Sequence, residues 1–341
     1  MYKTNGTILD VPGIKVGHAE DELKQTGCSV IIFDDGAVCG VDVRGSAPGT
    51  RETELLDPIN TVQKVNAVVL SGGSAFGLDS ASGVMRYLEE RKKGFDVGVA
   101  VVPIVPAAII FDLNFGDPAV RPDANMGYFA SQNASTNSFP SGNIGAGAGA
   151  TIGKMAGFDK AMKGGLGTAS VKLAGGLTVG AMVVVNAVGE IRDLKNGKTI
   201  AGACDENGHL IDLISYVLEN YKDNHFTQGK NTTIGIICCN ANMNKSQMKK
   251  VAQMAHDGLA RTIYPVHTMS DGDTIFAATT GGVDSSVNIV GMLAAEVMAA
   301  AVLDAVKSAK SKFGVRGYAD LANTSISSDV PSVTGANKEA R

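Results

Sequence analysis

The sequence predicts an α/β protein, and three observations carry that prediction. Residues 67–70, 178–185 and 234–237 are short, continuously apolar runs rich in β-branched side chains, the signature of buried strands. Residues 244–262 have helical periodicity instead, with Met248, Val251, Met254, Ala255 and Leu259 on one face, so these methionines are expected in the core. The 42 glycines cluster at junctions between such segments, as expected where backbone turns tightly or approaches something closely. A chain of 341 residues is long enough to bury a full core, as one large domain or two.

Composition narrows the function classes. With 44% hydrophobic and 19% charged residues the chain has the make-up of a compact protein rather than a disordered one. A net charge of −4 with acids and bases interspersed argues against nucleic acid or another polyanion as partner. Five cysteines (Cys28, Cys39, Cys204, Cys238, Cys239) are an odd number without C-x-x-C spacing. Reduced, buried thiols in a reducing, cytoplasmic compartment are expected from that pattern, with no zinc or other metal site. The first six residues lack a basic segment followed by an apolar core, so no secretory signal is expected. The most apolar long stretch, 287–306, carries Glu296 and Asp304. A membrane span would be continuously apolar over ~20 residues, so a buried core or interface helix is expected and no membrane contact.

Taken in order, 14–18 and 28–33 read as strands, and Asp34-Asp35-Gly36 between 28–33 and 37–43 predicts a hairpin. Residues 44–53 form a turn-rich loop with Arg44 and Arg51, open equally to a surface reading and a site-lining one. The strand at 67–70 runs into Ser71-Gly72-Gly73-Ser74 and a helix through about Glu90. That arrangement would aim free backbone N–H groups at one point, which suits an anion or oxyanion and makes Gly72, Gly73 and Ser74 candidate site-lining residues. It is not a G-x-S-x-G nucleophile elbow, because Phe76 stands at the fifth position.

Strands are expected at 97–102 and 107–113, then a polar segment with a short helix around 126–131. The densest glycine run, 142–153, leads to Lys154. A phosphate-binding loop would need Gly at 148 and Ser or Thr at 155, where this chain has Ala148 and Met155. A dinucleotide fold fails as well, since no buried strand precedes Gly145. No cofactor is therefore expected, and Lys154 by itself reads as a solvated lysine after a loop. The strand at 178–185 is apolar enough to be buried on both faces. It ends at Asn186, either a turn residue or a polar side chain at the edge of a buried layer.

A charged connection, 221–230, precedes Asn231-Thr232-Thr233-Ile234. A backbone cut before Thr232 would leave a threonine with its own α-amine beside its hydroxyl, a self-contained nucleophile and base at the mouth of a strand. On its own this is also ordinary β-propensity. His256, on the amphipathic stretch, reads as structural. Asp271 and Asp273 lie one residue apart before a strand, on one side if strand geometry already holds there, or in an ordinary Asp-Gly-Asp turn. From 311 onward the composition predicts a loosely held tail.

Assembled, these segments resemble the self-cleaving N-terminal-nucleophile hydrolases of the DmpA-type aminopeptidase family, and within it the nylon oligomer (6-aminohexanoate oligomer) hydrolase branch. The resemblance covers nearly the whole chain, and five stretches carry it: residues 43–53, 70–78, Gly145-Ala146-Gly147, Asn231-Thr232-Thr233-Ile234, and 267–277. It implies one catalytic domain, 1–341, folded as a four-layer α/β/β/α sandwich of the DmpA and ornithine acetyltransferase type. That domain would be cut between Asn231 and Thr232 into chains 1–231 and 232–341. It further implies homo-oligomers of such pairs, with a tetramer favoured, and a small amide or short oligomer as substrate.

By the same resemblance Thr232 is the nucleophile, Lys154 and Asn186 are the site lysine and asparagine, and Asp271 and Asp273 orient the new N-terminus. The chemistry fits those residue types. An α-amine, with a pKa of roughly 7.7–8.0, can take the threonine proton. A lysine and an amide N–H would stabilise the tetrahedral oxyanion by roughly 3–4 kcal/mol per well-placed donor. Gly145 and Gly147 are candidate substrate-binding residues, as are Phe111 and Asp112, which stand where aminopeptidase members carry the acid that reads a substrate amine. No Glu is present there. That departure favours endo-type hydrolysis of linear amides, with Asp112 at most a partial substitute. Aminopeptidase or β-peptidyl aminopeptidase action and ornithine-acetyltransferase-like acyl transfer are the alternatives.

Overall fold

The structure is a computed structural model that describes residues 4, 6–220 and 231–324. Eight strands build its framework: β1 (Ile14–Asp21), β2 (Thr26–Val43), β3 (Lys64–Ser71), β4 (Ala107–Ile109), β5 (Gly165–Lys172), β6 (Thr178–Asn186), β7 (Thr232–Ala241) and β8 (Thr274–Val283). With the two-residue strand Thr50–Arg51 they form one hydrogen-bonded ladder. Its order is β5-β6-β7-β8-β2-β3-β4 and then Thr50–Arg51, with β1 paired to β2 beside that path.

The ladder folds into two stacked sheets because β2, at 18 residues, serves both. Its first half pairs with β1 and β3, while Val38 to Val43 pair with β8. Register breaks between Ile32 and Ala37, and Gly36 supplies a φ of 71° there. An irregularity of this kind bends a strand without ending it. The hairpin expected around Asp34-Asp35-Gly36 is therefore corrected to one bent strand. The true hairpin joins β1 to β2, with Gln25 at φ 55° before the second strand.

Side chains on either side of each strand confirm the layering. Along β6, Val183 belongs to the core layer beneath helices α4 (Lys245–Thr262) and α5 (Val287–Lys307), with β6 packed on α5, whereas its neighbour Val184 faces the other sheet. Ile237 and Ile236 divide the same way on β7. Between the sheets, Ile31, Phe33, Val68 and Leu70 meet Met182, Val184, Ile234, Ile236 and Phe276. On the far side, Val30, Ile32 and Val69 pack against Val84 and Leu88 of α1 (Ser80–Glu89) and Ala130 of α2 (Ala124–Gln132). Three apolar layers thus separate four layers of secondary structure, α/β/β/α. Each large side chain buried in them contributes roughly 1.5–3 kcal/mol.

Helix α5 is long and apolar enough by composition to cross a membrane, yet its Val297, Met298, Ala301 and Val302 are completely buried in the core. A short helix α3 (Leu213–Asn220) precedes the connection 221–230, which lies outside the described residues. Asn244 caps α4 reciprocally with Gln247, and α4 makes the crossover between the parallel strands β7 and β8.

Two further expectations need correction. Residues 97–102 form a surface turn rather than a strand: only Phe95–Asp96 and Val101–Val102 pair, around Gly98 at φ 83°, and Val99 is 96% exposed. The run has no neighbour in the main ladder, so its valines have nothing to pack on. Residues 311–324 are held rather than loose. Arg316 accepts the Lys163 N–H through its carbonyl and donates from its guanidinium to the carbonyls of Asp205 and Glu206, ahead of helix α6 (Tyr318–Thr324). The rest of the expected tail, 325–341, is outside the described residues.

Candidate active site

Thr232 opens β7, the strand flanked by β6 and β8. Antiparallel register sets Asn186, the last residue of β6, directly opposite Thr232. On the other flank Asn231 forms a parallel bridge with Asp271, which brings Asp271-Gly272-Asp273 alongside before β8 begins. Lys154 enters from a single helical turn, Lys154–Ala156, after Gly153 at φ 72°. A Cβ on Gly153 would stand 2.2 Å from the Ala203 nitrogen, so this turn requires glycine. None of Lys154, Asn186, Thr232, Asp271 and Asp273 is more than 4% exposed.

The hydrogen bonds divide the labour. Lys154 Nζ donates to Asn186 Oδ1 at 2.8 Å and to its carbonyl at 2.9 Å. Asn186 Oδ1 also accepts the Thr151 N–H at 3.0 Å, and its amide Nδ2 donates to the Phe111 carbonyl at 3.0 Å. Asn186 is thus a buried strand residue that holds the lysine, not a turn residue. Burial pushes the Lys154 ammonium down to about 7, aided by Lys163 and opposed by the charges of Asp271, Asp112 and Asp273.

Asp273 Oδ1 accepts the Thr233 N–H at 2.6 Å, and Oδ2 accepts from the His267 backbone N–H at 3.1 Å and from its Nδ1 at 2.7 Å. Asp271 Oδ2 accepts from Thr268 N–H at 2.7 Å and from its hydroxyl at 2.6 Å. Burial, and then the neighbouring Asp273 charge, raise the Asp271 carboxyl to about 6 against the pull of Thr268 and Lys154. The two acids thus divide the work: Asp273 grips the residue after Thr232, and Asp271 closes its own loop onto Thr268, three residues earlier.

The Thr232 hydroxyl donates to the carbonyl oxygen of Asn231, which also accepts the Gly272 N–H at 3.0 Å. Gly272 was not singled out from the sequence. Its signal is the glycine between two acids, since a Cβ there would stand 2.6 Å from the Ala47 carbonyl and 2.8 Å from Thr232 Oγ1. The 44–53 loop lines the site through its backbone: Arg44 and Gly45 N–H donate to the Asp273 carbonyl, and Ala47 N–H to that of Asp271. Its arginine side chains turn elsewhere, Arg44 to Asp42 and Arg51 to Ser82.

Other candidates are engaged in packing. The N–H groups of Gly72, Gly73 and Ser74 donate to the Gly27 carbonyl, Asp112 Oδ1 and the Ile110 carbonyl, so the expected free anion cradle is corrected to a closed turn. Asp112 also accepts the Thr26 hydroxyl at 2.8 Å and is 2% exposed; burial raises it to about 6 although both hydrogen bonds favour its charge. Its carboxylate is turned to Gly73 and Thr26, and the Phe111 carbonyl accepts from Asn186. Gly145 donates to Glu20, and a Cβ on Gly147 would stand 2.3 Å from the Leu166 nitrogen, so both glycines allow close packing against β1 and β5. His256 is structural, its Nε2–H donating to the Asp42 carbonyl at 3.1 Å.

The chain matches peptidase family S58 over residues 6–319. An uncharacterized aminopeptidase of Mycobacterium leprae (strain TN) is 40% identical over 361 aligned residues, covering 94% of this chain and 95% of that protein. A 6-aminohexanoate-oligomer endohydrolase of Kocuria sp. (strain KY2) is 34% identical over 314 residues, covering 88% and 85%. Among solved structures, the L-aminopeptidase D-Ala-esterase/amidase of Ochrobactrum anthropi, described as a variant of the Ntn hydrolase fold, superposes with a TM-score of 0.68 at 18% identity, over 93% of this chain and 91% of that one. Similarity at that identity carries the fold, and the sequence relatives carry the family. The chain belongs to peptidase family S58 and is a hydrolase of amide or peptide bonds.

Proposed function

We propose that the protein is a self-processing amidohydrolase whose nucleophile is Thr232, released as the first residue of chain 232–341. The observation that carries this reading is the Thr232 hydroxyl in contact with the Asn231 carbonyl while Gly272 N–H binds the same oxygen. Nucleophile, electrophile and an oxyanion donor stand together. In the intact chain Thr232 Oγ attacks the Asn231 carbonyl carbon, its proton passes to the Thr232 amide nitrogen, and the C–N bond breaks to give an ester. That break frees the α-amine, and water then cleaves the ester to release the Thr232 hydroxyl and the Asn231 carboxylate.

In the processed enzyme that amine takes the hydroxyl proton as Thr232 attacks a substrate amide. Lys154 supplies positive charge, with Asn186 fixing its position, and Asp271 and Asp273 set the electrostatics around the amine. The substrate class is linear amides and short oligomers, of which 6-aminohexanoate oligomers are the first to test because the Kocuria relative is named for them. The single domain works as a homo-oligomer of processed pairs in the cytoplasm.

Aminopeptidase action is the second reading, favoured by the name of the Mycobacterium leprae relative. Against it, both Asp112 oxygens are engaged inside the protein. Incubation with 6-aminohexanoate oligomers, β-peptides and L-amino-acid amides, each with free and blocked amino ends, separates the readings. Endohydrolysis gives internal cleavage of blocked oligomers. Turnover of free-amine substrates alone would assign aminopeptidase action instead.

A further inference from the structure

We infer that His267 is a positioning residue of this site: it clamps the carboxylate that holds the start of the nucleophile strand. The inference rests on the reading of Thr232 as nucleophile. Asp273 divides its oxygens, with Oδ1 on the Thr233 N–H and Oδ2 on His267, which approaches through both its backbone N–H (3.1 Å) and its ring Nδ1 (2.7 Å). A carboxylate only accepts, so Nδ1 carries the hydrogen. His267 Nε2 is buried with no hydrogen-bond partner among the described residues, so the ring's one directed contact is the one to Asp273.

The ring cannot swing away freely. It meets the ring of His256 edge-on, with centroids 4.8 Å apart at 73°, and His256 is itself pinned from α4 onto the Asp42 carbonyl of β2. Burial pushes His256 down to about 4, so it backs His267 as a neutral wall. His267 adopts a φ of 58°, a left-handed conformation in which His and Asn are enriched among residues with a side chain. That conformation lets backbone and ring donate to the same oxygen.

Thr233 is bonded to Thr232, so the chain of contacts from His267 through Asp273 to the Thr233 N–H ends one residue from the attacking oxygen. Loss of the clamp frees Asp273 to rotate and lets the mouth of β7 drift. Misplacement of a reacting group by about 1 Å costs on the order of 100-fold in rate.

The test compares wild type with His267→Ala and His267→Asn, measuring conversion of the precursor and kcat and KM of the processed enzyme on a linear amide. Asparagine tolerates the left-handed backbone and places an amide N–H where Nδ1–H stands. The Ala variant is expected to lose roughly 10–100-fold in kcat with KM nearly unchanged, and Asn to recover to within about 5-fold of wild type. An Ala variant as fast as wild type overturns the inference. So does an Asn variant as slow as Ala at an unchanged thermal midpoint.

Should Ala fail to fold, Asn is set against His267→Gln, whose amide reaches the Nε2 position. Asn active and Gln impaired supports the clamp, and equal activity overturns it. Wild type that neither splits nor cleaves amides overturns the Thr232 reading and this inference with it, a result distinct from active wild type with an unimpaired Ala variant.

Discussion

Asp112 and Asp273 are both buried carboxylates just outside strand ends, and each accepts a backbone N–H with one oxygen and a side-chain donor with the other. They differ in what they hold. Asp112 ties the Gly73 turn to Thr26 and closes a loop, whereas Asp273 grips the residue after Thr232 and is itself held by His267. Burial and charge thus do not mark the site. The object of the hydrogen bonds does: one carboxylate stabilises a fold feature and the other holds the strand that, on the proposed reading, carries the nucleophile.

The sharpest way to break that contrast is to remove what Asp273 places. Thr232→Ala is expected to abolish conversion and to lower amide hydrolysis by more than ~1000-fold, measured by gel and by product release, because among the described residues the hydroxyl bonded to the Asn231 carbonyl is that of Thr232. Next in size is Asp273→Asn, which replaces the acceptor for the His267 ring. It is expected to cost on the order of 100-fold in kcat, and a loss below about 5-fold would place Asp273 in the same class as Asp112.

A third outcome concerns pH. Asp271 gains a proton as pH falls through about 6, and Lys154 loses its charge as pH rises through about 7. Precursor conversion is therefore expected to peak between these values and to fall on both sides, with apparent constants that belong to the coupled set. A rate that climbs steadily to pH 9 would contradict the need for a charged Lys154.

The smallest effect is expected at Asp112→Asn, where kcat stays within about 5-fold because the Asp112 hydrogen bonds go to Gly73 and Thr26 and its charge is one of several that act on Lys154. Stability should respond instead. Burial raises Asp112 from 3.8 to about 6, so between these values the folded state binds more protons than the unfolded one and stability falls as pH rises. Asparagine removes that dependence. Relative to wild type the variant should gain on the order of 2–3 kcal/mol between pH 4 and pH 6, read by denaturant titration.

The layers were legible because β6 and β7 are apolar on both faces, a pattern that only a strand between two cores can use. The site was less legible. Lys154 resembled a solvated lysine and Asn186 a turn residue, because the register that sets Asn186 opposite Thr232 joins residues far apart in sequence. The glycine loops at 71–74 and 145–147 drew attention through composition but answer to packing. Asp34-Asp35-Gly36 has turn chemistry, yet β2 runs through it because β1 and β8 each claim one half of the strand. His267 was invisible as a clamp, since its φ and its two-pronged contact exist only in the folded loop.

The most direct measurement is the intact mass and N-terminal sequence of the purified full-length protein after incubation near neutral pH. The account requires two chains, the smaller beginning Thr-Thr-Ile-Gly, and a Thr232→Ala protein that remains whole at 35.1 kDa less the mass of the substitution. A wild-type chain that stays intact, a cut at any other bond, or a Thr232→Ala protein that still splits before residue 232 would contradict it.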